Sequence, residues 1–231
     1  MNIVLASTSP RRRELIKRIT ENFTAKAADV DEKAIEEQIE KSGQGLSEAQ
    51  IAEKTVKALS RAKALAVFGS MGQPEDTLVI GADTVVALEN EIMGKPEDRE
   101  DAVRMLRAQS LEPQQVMTGV SLVAKTRFSA CGCCCQKDGC DKTDACVEQD
   151  VLVRTFAEKT LVYFHPLDEA QEARIQAYCD TEEPYDKAGA YGIQQHGDVL
   201  VERFEGDYDN IVGFPVERIR QEIEEYFGLK F

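Results

Sequence analysis

A single carboxylate, Asp83, lies in the middle of a strongly apolar stretch. Residues 77–88 read TLVIGADTVVAL, and every residue apart from Asp83 is apolar, β-branched or glycine. This composition is typical of a strand that is buried on both faces. An ionised carboxylate there is costly unless a metal, a cation or several hydrogen-bond donors meet it. Asp83 is therefore a candidate catalytic or metal-binding residue. The structural alternative is an aspartate that caps the following turn.

Hydroxyl and guanidinium groups follow the first predicted strand, which covers residues 2–6. Ser9 and Pro10 have the residue types favoured at the N-cap and at the first position of a helix. Residues 11–13 are then three arginines, although the helix macrodipole disfavours positive charge at this end. Free backbone N–H groups gathered with guanidinium groups are expected where an anion binds, and phosphate is the predicted ligand. A solvated basic turn is the alternative.

Other charged residues could complete such a site. Asp29, Asp31 and Glu32 form an acidic group, and oxygen ligands of this kind hold divalent cations. The same segment is also typical of a solvated loop. Lys95 lies between a glycine and a proline, which constrain its backbone more than a surface lysine requires.

Predicted strands and helices alternate along the chain, which indicates an α/β layer architecture. Residues 47–50 have the spacing of a capping box that opens a helix. Residues 115–125 and 150–163 are predicted strands, and residues 216–227 a closing helix. Residues 182–194 are rich in glycine, alanine and tyrosine, which is typical of a loop that approaches a ligand closely. A tight structural loop is the alternative.

Composition and charge exclude several kinds of partner. The chain has 231 residues, of which 42% are hydrophobic and 30% charged, as in a globular protein with a substantial core. Its net charge of −14 argues against a nucleic-acid polymer or an anionic membrane as partner. The N-terminal apolar run is too short for a signal peptide, so a cytoplasmic location is expected. Because no linker or repeat divides the chain, residues 1–231 are expected to form a single domain.

Six of the seven cysteines lie between residues 131 and 146. The surrounding residues 129–149 have no periodic apolar pattern, so they are predicted to form an inserted hairpin loop. The cysteines could bind zinc or take part in redox chemistry, but their spacing lacks the paired C-x2-C units of a structural zinc site. A mobile surface loop is the alternative.

Six motifs occur in one order, namely SPRRREL, GADTVV, GKP, MTGV, DKAGAYGIQ and GDYDNIVGFP. Together they resemble the Maf family of septum-formation-inhibitor-like nucleotide pyrophosphatases, over residues 5–227. The resemblance implies a mixed α/β fold, in which an elongated sheet is flanked by helices and two lobes surround a cleft, similar to inosine triphosphate pyrophosphatases. It also implies hydrolysis of nucleoside triphosphates to the monophosphate and pyrophosphate with Mg²⁺ or Mn²⁺, often by a homodimer.

The resemblance assigns a role to each matching residue. Asp83 would be the catalytic aspartate, which helps water to attack the α-phosphorus and holds the metal together with Glu32. The motif DKAGAYGIQ resembles the corresponding motif of the subgroup that acts on dTTP, UTP and modified uridine triphosphates. Substrate contacts would come from Ser9, Arg11, Arg12, Lys63, Thr84, Lys95 and Gln194.

The sequence departs from the family pattern at two places. The turn before TGV reads SLEPQQVM and lacks the usual glycine and histidine, and Gln195 replaces the usual glycine after GIQ. The local turn and the rim of the cleft are therefore expected to differ from those of other family members. The alternative function is a nucleotide-binding regulator of cell division with vestigial hydrolysis. The complete set of cationic and acidic positions favours an enzyme, because a pure binder needs no carboxylate in its phosphate pocket.

Overall fold

The structure is a computed structural model that describes residues 1–125, 145–148 and 150–230. Three short 3-10 turns, at Pro184–Asp186, Ala188–Ala190 and Gln195–Leu200, precede the last strand. The strands and α-helices, in chain order, are β1 (Asn2–Ala6), α1 (Pro10–Ile16), β2 (Phe23–Ala25), α2 (Glu32–Ser42), α3 (Glu48–Ser70), β3 (Thr77–Ala87), β4 (Ile92–Met93), α4 (Arg99–Gln109), β5 (Gln114–Lys125), β6 (Ala145–Glu148), β7 (Val151–Phe164), α5 (Glu169–Cys179), β8 (Val201–Glu205), α6 (Tyr208–Val212) and α7 (Val216–Phe227).

The strands form one mixed sheet in the order β2-β1-β3-β5-β7-β6, in which β4 pairs with β3 and β8 pairs with β7. Strand β1 is parallel to both of its neighbours, whereas β3, β5 and β7 are antiparallel to one another. Strand β1 ends opposite Gly81, so β3 continues six residues beyond the end of its parallel neighbour, as far as Ala87. The mixed sheet with flanking helices confirms the predicted fold class.

The two faces of the sheet are covered by different helices. On β3, Leu78, Ile80 and Ala82 belong to the main core, to which α1, α4, α5 and α7 contribute. Val79 and Ala87 point to the opposite face, where they pack with residues of α3. Because side chains alternate along a strand, Asp83 faces α3 and Thr84 faces the main core.

Helix α3 lies unusually close to the sheet, because glycines stand beneath it. A Cβ atom added to Gly81 would lie 2.3 Å from the carbonyl oxygen of Ser60, and one added to Gly119 would lie 2.2 Å from that of Val56. Neither position has room for a side chain. Gly119 is also directly opposite Asp83 in the pairing of β3 with β5. The two glycines therefore set the distance between α3 and the part of β3 that carries Asp83.

Local sequence signals for helix starts are confirmed. Ser9 caps α1 with Pro10 in its first turn, and Ser47 with Gln50 forms a complete capping box at α3. The short helix α6, Tyr208–Val212, forms within the GDYDNIVGFP motif. The side chain of Asp207 caps it by accepting a hydrogen bond from the backbone N–H of Asp209.

Strand β8 begins at Val201, directly after the Gln195–Leu200 turn. Most of the cysteine-rich segment, residues 129–149, lies outside the described residues, so the zinc and redox interpretations stay predictions. Within the described ranges, no helix is long and apolar enough to cross a membrane.

Candidate active site

Asp83 forms an ion pair with Lys63, a residue of helix α3. The Nζ atom of Lys63 lies 2.6 Å from Oδ1 of Asp83, and the two side chains are only 12% and 13% exposed. A lone buried carboxylate would be strongly destabilising, whereas a short, hydrogen-bonded ion pair offsets much of the cost of desolvation. The cation that the buried strand required is therefore supplied by the helix that packs on it.

A second carboxylate contacts the same ammonium group. Glu32 is the first residue of helix α2. The preceding residue, Asp31, caps the helix, because its side chain accepts a hydrogen bond from the backbone N–H of Ala34. The Oε1 atom of Glu32 lies 3.1 Å from Nζ of Lys63. Glu32 and Asp83, which are far apart in sequence, thus face one point from α2 and β3.

Glu36 is a further member of this group that sequence reasoning missed. It lies one turn after Glu32 on α2, and burial, together with the negative charges of Asp83 and Glu32, raises the pKa of its carboxyl group. The i,i+4 spacing of two glutamates in one helix was visible in the sequence, but their direction toward Asp83 was not.

The donor set around Lys63 fits a hard divalent cation. Glu32 and Asp83 offer carboxylate oxygens, which suit Mg²⁺ and Mn²⁺. In the described part of the chain, no group of three or more histidine, cysteine or acidic side chains is arranged to hold a metal ion. Mg²⁺ commonly takes one or two carboxylates and completes its shell with water and substrate phosphates. Two protein carboxylates are therefore sufficient for a cation that is shared with a nucleotide.

Arg12 lies on the opposite face of β3. Its Nε atom donates to the carbonyl oxygen of Gly213 at 2.9 Å, and its Nη2 atom donates to Oγ1 of Thr84 at 2.9 Å. Burial lowers the pKa of Arg12, and the nearby charge of Asp83 acts in the opposite direction. A guanidinium keeps its charge under such conditions, so Arg12 is an oriented, partly buried cation.

The hydroxyl group of Thr84 is already used inside the protein. Thr118 donates its hydroxyl proton to the carbonyl oxygen of Asn210 at 3.1 Å, so in its 3.0 Å contact with Thr84 it must accept. Thr84 consequently donates to Thr118 and accepts from Arg12, which leaves no proton for a ligand. These hydrogen bonds place Thr84 beside Arg12, and the direct contact with the substrate that the family resemblance implied stays a prediction.

Gly213 closes the pocket around Arg12. It ends α6 with a φ of +105°, which L side chains rarely adopt, and a Cβ atom there would lie 3.0 Å from Oγ1 of Thr84. The GDYDNIVGFP motif, whose role the sequence left open, therefore places a carbonyl acceptor beside Arg12. Sequence reasoning missed both Gly213 and Thr118 as neighbours of the site.

Ser9 and Arg11 occupy the start of α1. The Oγ atom of Ser9 accepts from the backbone N–H of Arg12 at 3.5 Å, and the N–H of Ser9 donates to Oγ of Ser7. An Nη1 atom of Arg11 lies 3.5 Å from Oδ2 of Asp186, in the loop that follows α5. Asp186 is the first residue of the DKAGAYGIQ motif, but nothing in the sequence indicates that it contacts Arg11. A carboxylate of the chain therefore contacts Arg11.

Lys95 and Gln194 lie on two connected loops. The N–H of Gly189 donates to the carbonyl oxygen of Gly94 at 2.9 Å, which joins the turn that carries Lys95 to the loop that leads to Gln194. Both side chains are exposed, and Gln194 lines an open surface groove with residues of β8, such as Phe204. Among the described residues, no hydrogen bond or ion pair joins Lys95 or Gln194 to the rest of the predicted site.

The predicted residues thus fall into three groups. Glu32, Lys63 and Asp83 are in contact on the α3 face. Arg12 and Thr84 are in contact on the other face, next to Ser9. Arg11, Lys95 and Gln194 lie apart from these contacts, on α1 and on the two connected loops.

Comparison with known proteins shows the family to which the chain belongs. Residues 2–226 match the family model described as Maf-like protein. The chain is 37% identical over 219 residues to a protein of Thermosipho africanus, covering 95% of this chain and 90% of that protein. It is 38% identical over 230 residues to a protein of Acetivibrio thermocellus, covering 98% and 96% of the two chains. Both relatives are named dTTP/UTP pyrophosphatase. The chain therefore belongs to the Maf family.

Proposed function

We propose that the protein is a nucleoside triphosphate pyrophosphatase that hydrolyses dTTP and UTP to the monophosphate and pyrophosphate. Its family membership and the names of its relatives support this reaction class. The observation that carries the proposal is the contact of Lys63 with both Asp83 and Glu32. Asp83 belongs to strand β3, and Arg12 lies on the other face of the same strand. Cations and carboxylates meet there as phosphoryl chemistry requires.

The cations of the site counteract an electrostatic problem. A nucleoside triphosphate is strongly negative, and it must approach a protein whose net charge is −14. Arg11 and Arg12 would bind phosphate oxygens at the start of α1, where free N–H groups also favour an anion. Lys63 and Lys95 would add positive charge around the same phosphates. Local cationic groups thus overcome the unfavourable overall field.

Asp83 is the group proposed to act on the water. Its carboxylate would orient the attacking water or accept its proton, so that the oxygen attacks the α-phosphorus while pyrophosphate leaves. Arg12, held by Thr84 and Gly213, would stabilise the charge that develops on the phosphate. Gln194 is proposed to form hydrogen bonds with the base or sugar, because a mispaired polar group discriminates strongly between substrates.

A divalent cation, Mg²⁺ or Mn²⁺, is proposed as the cofactor, with Glu32 and Asp83 as its protein ligands. When bound, it would neutralise phosphate charge and polarise the bonds at phosphorus. The hard oxygen donors of the two side chains support this choice over softer metals.

Pyrophosphate release from a panel of nucleoside triphosphates tests the proposal, with Mg²⁺, with Mn²⁺ and with EDTA. The expected result is metal-dependent release from dTTP and UTP, which leaves the monophosphate. Release from another nucleotide alone would keep the reaction but overturn the assigned base preference. Nucleotide binding without release would overturn the enzymatic proposal in favour of the regulator of cell division.

The family resemblance also supports a homodimer, and a cytoplasmic location stays a prediction. Light scattering coupled to size-exclusion chromatography tests the first of these. A mass near twice 25.7 kDa is expected, and a mass near 25.7 kDa would contradict the dimer.

A further inference from the structure

Lys63 lies where a divalent cation would have to bind. Its Nζ atom is within hydrogen-bonding distance of Oδ1 of Asp83 and of Oε1 of Glu32, the two proposed metal ligands. A cation that binds these two oxygens therefore competes for them with the ammonium group. This competition adds a condition to the proposed reaction, because Lys63 must give up its contacts with the two carboxylates before the metal can take them.

The displacement is costly in the free protein. Lys63 and Asp83 are both largely buried, at 12% and 13% exposure, so an ammonium group that leaves the pair loses its partner in a poorly solvated place. The pair is close to ideal hydrogen-bonding distance, at 2.6 Å. A divalent cation alone offers Lys63 no new anion in exchange.

A bound triphosphate removes this cost. Its oxygens provide new partners for the ammonium group, and the flexible four-carbon stem of lysine allows the group to move toward them. The same oxygens supply the metal ligands that two protein carboxylates cannot. Phosphate and cation together can therefore exchange partners with Lys63 in one event.

We propose that Lys63 keeps free divalent cations out of the site when no nucleotide is bound, so that the cation enters together with the triphosphate. This inference rests on the proposed function. The opposite arrangement would be a site on the free protein that holds its metal before the nucleotide arrives. The two arrangements differ in how tightly the protein without nucleotide binds Mn²⁺.

The test measures Mn²⁺ binding to the full chain without nucleotide, from the electron paramagnetic resonance signal of unbound Mn²⁺. Three proteins are compared, namely the wild type, Lys63→Met and Lys95→Met. Lys63→Met should bind Mn²⁺ at least about tenfold more tightly than the wild type, because a cation in contact with both ligands is removed. Lys95→Met removes the same charge from the proposed site, but Lys95 does not contact either carboxylate, so its Mn²⁺ affinity should stay close to that of the wild type.

Each other outcome has a definite meaning. Tight Mn²⁺ binding by the wild type, or no gain in Lys63→Met, would overturn the inference. An equal gain in Lys95→Met would also overturn it, because general electrostatics would then explain the effect. If Lys63→Met does not fold, Lys63→Gln replaces it, since glutamine removes the charge and keeps hydrogen-bond donors for the carboxylates.

The inference and the proposed function can fail separately. Pyrophosphate release by the wild type, without tighter Mn²⁺ binding by Lys63→Met, would leave the reaction in place and reject the role of Lys63. Alternatively, Lys63→Met could bind Mn²⁺ more tightly although the wild type hydrolyses no nucleotide. This result would retain the competition between Lys63 and metal. It would reject the proposed function, and with it the joint entry of metal and nucleotide.

Discussion

The guanidinium group of Arg12 donates a 2.9 Å hydrogen bond to the hydroxyl of Thr84, the residue that follows Asp83 in strand β3. Since neighbouring residues of a strand point to opposite faces, Asp83 meets Lys63 under helix α3 while Thr84 meets Arg12 on the other side. One dipeptide therefore positions two cations. A substitution at either residue should affect one of them and leave the other in place.

Thr84→Val should lower kcat/KM by about tenfold to a hundredfold, which corresponds to the loss of a hydrogen bond to a charged group. Valine keeps the shape of threonine and the β-branched side chain that strands favour. Because Thr84 has no proton left for a ligand, the loss should be similar for all nucleotides. Steady-state kinetics with dTTP and UTP provide the measurement.

The control for this change is Thr84→Ser, which retains the hydroxyl and should keep most of the activity. A change in nucleotide preference, with little loss of rate, would show that Thr84 contacts the substrate directly and does not act through Arg12.

Asp83→Asn should lower turnover at least about a hundredfold, on the order of what one general base contributes. The substitution preserves the shape of the side chain and removes its charge. The matched control is Asp168→Asn at the N-cap of α5, where asparagine caps as well as aspartate. It removes the same charge and should leave turnover unchanged. Normal turnover in Asp83→Asn would rule out a catalytic role for Asp83.

Gly119→Ala should destabilise the protein by about 1–3 kcal/mol or more, because its Cβ atom would lie 2.2 Å from the carbonyl oxygen of Val56. Movement of α3 away from the sheet should also displace Lys63 and reduce activity. Urea unfolding and pyrophosphate release provide the two measurements.

Gly69→Ala is the control for this change, within α3 itself. No atom lies within 4 Å of its added Cβ, and alanine in a helix is favoured over glycine by about 0.5–1 kcal/mol. It should stabilise the protein slightly. Equal stability of Gly119→Ala and the wild type would show that α3 does not depend on this close approach.

Glu172 should stabilise the fold in a pH-dependent manner. Hydrogen bonds from Arg107 and Gln176 lower its pKa to about 2 from an ordinary value of 4.5. Because the folded pKa is depressed, its contribution is complete above about pH 4.5 and disappears as the pH falls toward 2. Because solvent screens this exposed pair, the contribution at pH 7 should be small.

Urea unfolding of the wild type and of Glu172→Gln measures this contribution. The variant should be less stable at pH 7, and the difference should shrink between about pH 4.5 and pH 3. A difference that stays constant over this interval would show that the ion pair is not its cause.

Much of the local structure could be predicted from neighbouring residues. Ser9 with Pro10, and Ser47 with Gln50, start helices because a side chain within three residues pairs with free backbone N–H groups. The apolar stretch around Asp83 similarly predicted a buried strand and a need for a cation. These interactions join residues that are close in sequence, so they can be predicted from the sequence alone.

The identity of each partner depends instead on packing. Lys63 lies 20 residues before Asp83 and reaches it because Gly81 and Gly119 allow α3 to lie against the sheet. Arg12 meets Thr84 across 72 residues and Gly213 across 201 residues, because α1 and α6 pack on the same face. The sequence could therefore indicate that Asp83 needs a cation. Asp83 and Thr84 point to two faces of the sheet, and each contacts its own cation. These contacts form only when the helices pack on the sheet, so they depend on the whole chain and not on neighbouring residues.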